Sequence, residues 1–329
     1  MKICIIKLGA LGDIIRTTPI LEAIKDKYLN SEITWITKPE SKEILENNPL
    51  IAKILTIPIE NLDENFDILY SLDIDEKAIK LANLIKAKKK LGYYNNEDFP
   101  DCFNSGAEYY LNTAFDDSLK KSNRKTYQEM IFQASELKYT HQKCQIFLTE
   151  KEKLYGKEFL RKNNLKTGKI IGLNIGSSSR WPSKAWDLEK VKEFVIKIKK
   201  DNYELILLGG LNEQNILDNL IDNLKNQNII VFQNNPNNSF KEFVSIINIC
   251  DKIVCGDTMA IHIALSLNKP TIGLFFCTSP YEIESYGLLK KLVSPMLLDF
   301  FPEKSDKYNK TLVSSIIAEQ VINAIKTNN

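Results

Sequence analysis

The chain has 329 residues, of which 43% are hydrophobic and 26% charged, and its 44 Lys and Arg against 42 Asp and Glu leave a net charge of +2. That length suits two cores of about 150 residues each, and the charge is too balanced for a dedicated nucleic-acid binder. No apolar run reaches the roughly 18–20 residues that span a bilayer, and KLGALGD interrupts any signal-peptide core, so a cytoplasmic protein is expected.

Strand-length apolar runs alternate with helical patterns from the start. Lys2–Leu8, Ile33–Thr37, Lys53–Ile57 and Asp67–Ser71 predict strands, rich in Ile, Leu and Val without strict alternation, as a parallel sheet covered on both faces requires. Asp13–Lys27, Glu40–Glu46, Glu76–Lys86 and Lys125–Glu136 carry helical spacing between and after them. The basic run IKAKKKLGYY (85–94) predicts a solvated helix end, with attraction to an anionic acceptor or membrane surface as its other reading.

The first strand runs into Gly9-Ala-Leu-Gly12-Asp13 and then a helix. A strand, a Gly-containing turn and a helix start form a natural ligand site, and the glycines allow close approach to the backbone. The stretch is neither the G-x-G-x-x-G fingerprint nor a P-loop, and the next strand ends on Lys38 rather than an acid, which disfavours a nicotinamide dehydrogenase. Asp13 reads either as a helix-start acid favoured by the dipole or as a ligand contact. A carboxylate here repels phosphate, so the second reading favours a hydroxyl.

The polar stretch Thr149–Lys169 predicts an exposed helix and linker, after which the pattern restarts. Ile170–Ile175, Glu204–Leu208, Ile229–Phe232, Lys252–Cys255 and Thr271–Phe275 predict strands, and Leu188–Lys199, Glu213–Leu224, Phe240–Ile249 and Met259–Leu267 the helices between them. Two successive series of this kind imply two doubly wound α/β domains. Thr311–Lys326 predicts a final helix. The six cysteines form no C-x-x-C pair and read as small buried hydrophobes, with no metal expected.

Three corners of the second half carry candidate chemistry. Gly176 is followed by Ser177, Ser178, Ser179, Arg180 and Lys184, hydroxyls and cations at a strand end that suit a diphosphate or form a plain solvated loop. Gly256-Asp257-Thr258 precedes a helix at Met259, where the amides of Thr258 and Met259 and the Thr258 hydroxyl face an anion, with His262 one turn on. Glu213, after Gly209-Gly210, is a ribose contact or a first-turn helix acid.

In this order and spacing, KLGALGDIIRTTP, NIGSSSRWPSKAW and GDTMAIHIALSLNKPTIGLFFCTSP resemble the signatures of the heptosyltransferase family, the ADP-heptose-dependent glycosyltransferases of lipopolysaccharide core assembly. The resemblance covers nearly the whole chain. It implies the GT-B fold, two Rossmann-like domains facing across a cleft: residues 1–155 for the acceptor, 156–310 for the nucleotide sugar, and a helix in 311–329 packing back on the first domain. It implies inverting, metal-independent transfer of a heptose or related sugar from ADP-heptose or a similar co-substrate, with no cofactor, to a hydroxyl of a glycan or glycolipid acceptor. Asp13 becomes the catalytic base. Lys184 and Ser177–Ser179 become phosphate contacts, Glu213 a ribose or base contact, and Asp257, Thr258 and His262 neighbours of the diphosphate and donor sugar. Gly9, Gly12, Lys7 and Arg16 fall on the acceptor side, with Lys38 and Arg124 as further cations. Met259 departs from the family's usual glycine and narrows the space beside the phosphate. Such an acceptor goes with a protein at the cytoplasmic face of the inner membrane. Two other readings stay open: a GT-B transferase using another nucleotide sugar, and a non-catalytic sugar-nucleotide binder.

Overall fold

The computed structural model describes residues 1–59 and 63–327; Asn328 and Asn329, which end the predicted C-terminal segment, lie outside them. The chain divides into two compact units, Met1–Phe147 with Tyr281–Glu284, and Leu148–Pro280 with Ser285–Asn329.

The first unit is built on β1 (Lys2–Ile6), β2 (Glu32–Thr37), β3 (Lys53–Thr56), β4 (Asn65–Ser71), β5 (Lys86–Asn96) and β6 (Phe99–Cys102), in the order β3-β2-β1-β4-β5-β6. All pairings are parallel except β5 with β6. Its helices are α1 (Leu11–Thr17), α2 (Ile20–Lys27), α3 (Lys42–Leu45), α4 (Glu76–Leu84), α5 (Glu108–Phe115), α6 (Asp117–Ser122) and α7 (Tyr127–Ala134). Ile3, Cys4, Ile5 and Ile6 are all fully buried, so β1 is covered on both faces and has no reason to alternate. On one face Cys4, Ile6, Leu8, Ile36, Phe66 and Leu69 pack with Ala78 and Ala82, small residues one turn apart on α4.

The predicted helix Asp13–Lys27 is two helices. Pro19 has no amide to donate and crowds the preceding turn, so α1 ends at Thr17 and α2 starts beyond it, with Thr18 and Pro19 still near helical angles. The basic run is corrected more sharply: Lys86–Asn96 is a strand, not a helix end. Its lysines lie opposite acids, Lys88 to Asp67 at 2.7 Å and Lys89 to Glu136 at 2.5 Å, which the helical reading left without partners. Gly92, at φ +91°, lets it pass Ser71, whose carbonyl oxygen would lie 1.9 Å from a Cβ.

The second unit repeats the plan with β7 (Ile170–Asn174), β8 (Glu204–Leu208), β9 (Phe232–Gln233), β10 (Lys252–Gly256), β11 (Thr271–Phe275) and β12 (Leu289–Val293), all parallel, in the order β12-β11-β10-β7-β8-β9. Its helices are α8 (Glu150–Lys162), α9 (Leu188–Lys199), α10 (Gln214–Lys225), α11 (Phe240–Ile249), α12 (Met259–Ser266), α13 (Leu297–Phe300), α14 (Lys310–Ser314) and α15 (Ala318–Thr327). Counted from its own first strand, each sheet has the order 3-2-1-4-5-6, so each has a switch point between its first and fourth strands.

Two predicted boundaries move. Helix α8 belongs entirely to the second unit, so the division falls at Phe147–Leu148 rather than 155–156, and residues 281–284 return to the first unit. The C-terminal helix, expected on the first domain, is part of the second unit's core: Ala318, Val321, Ile322, Ala324 and Ile325 of α15 pack around Ile171, Val195 and Ile272. Burying that apolar stripe against the nearest open sheet face decides its place.

Candidate functional site

The candidate groups of each unit gather at its switch point. In the first, the loop after β1 starts α1, and the Ala10 carbonyl accepts from the amides of Asp13 (2.8 Å) and Ile14 (3.1 Å). Asp13 thus stands in the first turn, where the dipole favours an acid, and its side chain is 31% exposed. Arg16, one turn on, donates to Asp13 Oδ1 through Nε at 3.0 Å, with Nη2 at 2.8 Å from the same oxygen. The Arg16 guanidinium lies 3.8 Å from the ring centre of Tyr127, a cation–π contact that orients the fork. Tyr127 is held by a 2.8 Å hydroxyl contact with Thr17 and by the capping box of α7, Thr126 with Glu129. Burial works against the charge of Arg16, but Asp13 together with Tyr127, Tyr110 and Glu282 outweighs it and the pKa is raised.

Beneath the loop lies Asp73, two residues past β4 and 5% exposed, a residue the sequence reading missed. Its Oδ2 accepts from the amides of Leu8 (2.8 Å) and Gly9 (2.5 Å), and Lys7 Nζ is 3.6 Å away. Lys7, expected on the acceptor side, is 2% exposed and belongs to the inside of the loop. Burial disfavours its charge, yet Asp73 with Tyr127, Tyr110 and Asp13 more than compensates and its pKa is raised. The glycine at position 9 has a local cause as well: a Cβ there would lie 3.0 Å from Asp73 Oδ2 and 3.2 Å from Lys7 Nζ. Gly12 lies within α1 beside Asp13. The acid in LDID, just past a predicted strand, was the available signal for Asp73.

In the second unit β7 ends at Asn174 and β10 at Gly256, and the Thr258 hydroxyl donates to Asn174 Oδ1 at 3.1 Å across the switch point. The Thr258 amide donates to the Gly256 carbonyl at 2.9 Å. The hydroxyl is thus engaged by the end of β7 and the amide by the turn into α12. Lys184 Nζ donates to Asp257 Oδ2 at 2.9 Å, with both side chains under one-fifth exposed. The pair cancels much of the repulsion a bare Asp257 would exert on an anion. Lys184 is held in place because its own carbonyl rests on Gly256, where a Cβ would come within 2.2 Å.

Ser177 is half-buried and Ser178 exposed. Ser178 Oγ accepts from the Arg180 amide (3.3 Å) and its carbonyl from the Trp181 amide (2.8 Å), which shapes the loop. Glu213 packs over Gly176, whose Cβ would lie 2.8 Å from its Cδ, and accepts from the Gly210 amide at 2.9 Å. Buried Asn234, another residue the sequence reading missed, accepts from the Gly209 amide and donates to its carbonyl. Met259 is half-buried at the start of α12, and His262 lies deepest, 6% exposed within that helix.

Two sheets of this order, parallel but for the β5–β6 edge, each with its candidate groups at the switch point, define a GT-B glycosyltransferase architecture. The chain belongs to glycosyltransferase family 9 (heptosyltransferase), whose family model matches residues 59–307, and it is a glycosyltransferase. Lipopolysaccharide heptosyltransferase 1 of Campylobacter coli is 25% identical, over 99% of this chain and 98% of its own. A family 9 glycosyl transferase of Veillonella parvula superposes with a TM-score of 0.78 at 20% identity, covering 99% of this chain and 96% of that one. Heptosyltransferase WaaC of E. coli, solved with ADP, superposes with a TM-score of 0.67 at 15% identity over the whole of both chains.

Proposed function

We propose that this protein moves a heptose or closely related sugar from an ADP-sugar to a hydroxyl of a lipopolysaccharide-type acceptor, with inversion at the anomeric carbon. The observation that carries the reading is Asp13: a partly exposed carboxylate in the first turn of α1, gripped at one oxygen by an arginine that is itself stacked on Tyr127. Asp13 takes the proton of the attacking hydroxyl as the bond from the anomeric carbon to the nucleoside diphosphate breaks. The second unit holds the donor, with Lys184 at the departing phosphates and Glu213 at the ribose. Names of similar proteins support the donor and acceptor classes: the Campylobacter coli relative is a lipopolysaccharide heptosyltransferase, and E. coli WaaC has been solved with ADP.

Among the described residues no helix is long and apolar enough to cross a membrane. We place the protein in the cytoplasm, meeting a membrane-borne acceptor by peripheral contact. Asp13→Asn tests the reading. Transfer should fall at least about 10²-fold, in the range for loss of a general base, while donor affinity measured by calorimetry stays near wild type. Turnover at the wild-type rate would remove Asp13 from the mechanism.

A further inference from the structure

We infer that Asp73 is a positioning residue that sets the place of Asp13 through the backbone of the β1–α1 loop; this rests on Asp13 being the base. Arg16 fixes the Asp13 side chain, but nothing in that contact fixes where α1 begins. The start of α1 is set one step earlier. Asp73 Oδ2 collects the amides of Leu8 and Gly9, and its Oδ1 accepts from the Asp75 amide at 3.1 Å, which anchors the carboxylate to its own loop. The next residue after Gly9 is Ala10, whose carbonyl opens α1 by accepting from Asp13 and Ile14. Asp73 therefore ties the ends of β1 and β4 together on either side of the switch point and delivers Asp13 two hydrogen bonds away.

A carboxylate suits this task better than a neutral acceptor. Two amides converge on one oxygen, and charge-assisted bonds of this kind are roughly twice as strong as neutral ones. The charge needs a buried partner, and Lys7, the residue just after β1, supplies it inside the same loop. Gly9 completes the arrangement, since a side chain there would press on both members of the pair. The competing reading is that Lys7 and Asp73 form a structural ion pair with no bearing on catalysis.

The experiment compares the full-length variants Lys7→Met/Asp73→Ala and Lys7→Met/Asp73→Asn. Both remove the two charges together, so neither leaves one buried alone. Positioning predicts that the alanine form loses about 10²-fold in kcat, the scale of a displacement of about 1 Å at a reacting group, with donor KM unchanged. Hydrogen exchange in the peptide spanning Leu8–Asp13 should accelerate in the same variant. The asparagine form keeps an acceptor oxygen, so its exchange protection should persist and its kcat should stay within about tenfold of wild type. Wild-type kcat and protection in the alanine form would overturn the proposal, as would equal loss in both forms. Asp13→Asn, run alongside, separates the two claims: turnover surviving that substitution overturns the role of Asp13 itself.

Discussion

Gly256→Ala puts the geometry of the second unit to a quantitative test. A methyl group at this position would stand 2.2 Å from the Lys184 carbonyl oxygen, whereas ordinary contact begins at 3.4 Å, so the loop must retreat by about 1.2 Å. The obstacle is backbone, held by the Lys184 amide to the Trp181 carbonyl at 3.1 Å, and cannot rotate aside. Overpacking of this kind costs about 1–3 kcal/mol, which thermal unfolding would register. The same retreat pulls Lys184 Nζ off Asp257, now 2.9 Å away. With Lys184 displaced from the donor phosphates, the charged hydrogen bond proposed there, about 1.5–3 kcal/mol, is lost, so donor affinity should drop by about 10–100-fold. Gly176→Ala is the matched control for stability alone, because its methyl group meets the Glu213 side chain, which can swing away, so the loss of stability should be smaller. Wild-type melting and wild-type donor affinity in Gly256→Ala would refute the packing argument. Lost stability with intact donor affinity would refute only the assignment of Lys184 to the donor phosphates.

Lys7→Met alone strands Asp73 as a buried charge and should cost about 3–5 kcal/mol by denaturant unfolding, most of it recovered when Asp73 is neutralised too. Because the folded pKa of Lys7 is raised above 10.5, its contribution is complete below that value and fades only as pH climbs past it. The stability gap between wild type and Lys7→Met should therefore stay constant from about pH 6 to 9; a gap that closes within that range would contradict the buried pair. Burial pushes the thiols of Cys102 and Cys277 up to about 11 and that of Cys250 up to about 12. Iodoacetamide should label the folded protein slowly at neutral pH, with partly exposed Cys102 first as pH rises, whereas rapid neutral labelling read by mass spectrometry would count against it. Met259→Gly opens the start of α12 and should widen the range of nucleotide sugars that bind; an identical donor profile would show that Met259 does not set donor choice.

Much of this protein was legible because its signals are local. A buried parallel strand must be apolar on both faces, so Lys2–Leu8 and Thr271–Phe275 announce themselves without reference to anything distant. Glycine before a helix start marks a strand–turn–helix corner wherever it stands, which placed Asp13, Glu213 and Asp257 at strand ends. The strand Lys86–Asn96 was hidden for the opposite reason. Two of its lysines, Lys88 and Lys89, find partners in Asp67 and Glu136, which are 21 and 47 residues away in sequence.

The sequence by itself determined the class of fold, the restart of the strand–helix pattern in a second domain, and which corners bear carboxylates, cations and hydroxyls. Only the tertiary structure decided what those groups touch. It turned Lys7 from a surface cation into the buried partner of Asp73, 66 positions along the chain, and spent the Thr258 hydroxyl on Asn174. It also carried the C-terminal helix to the second core. The physical reason is common to all three: periodicity and turn chemistry act over a few residues, whereas the partner of a buried charge, donor or apolar stripe is chosen by which strands the switch point brings side by side.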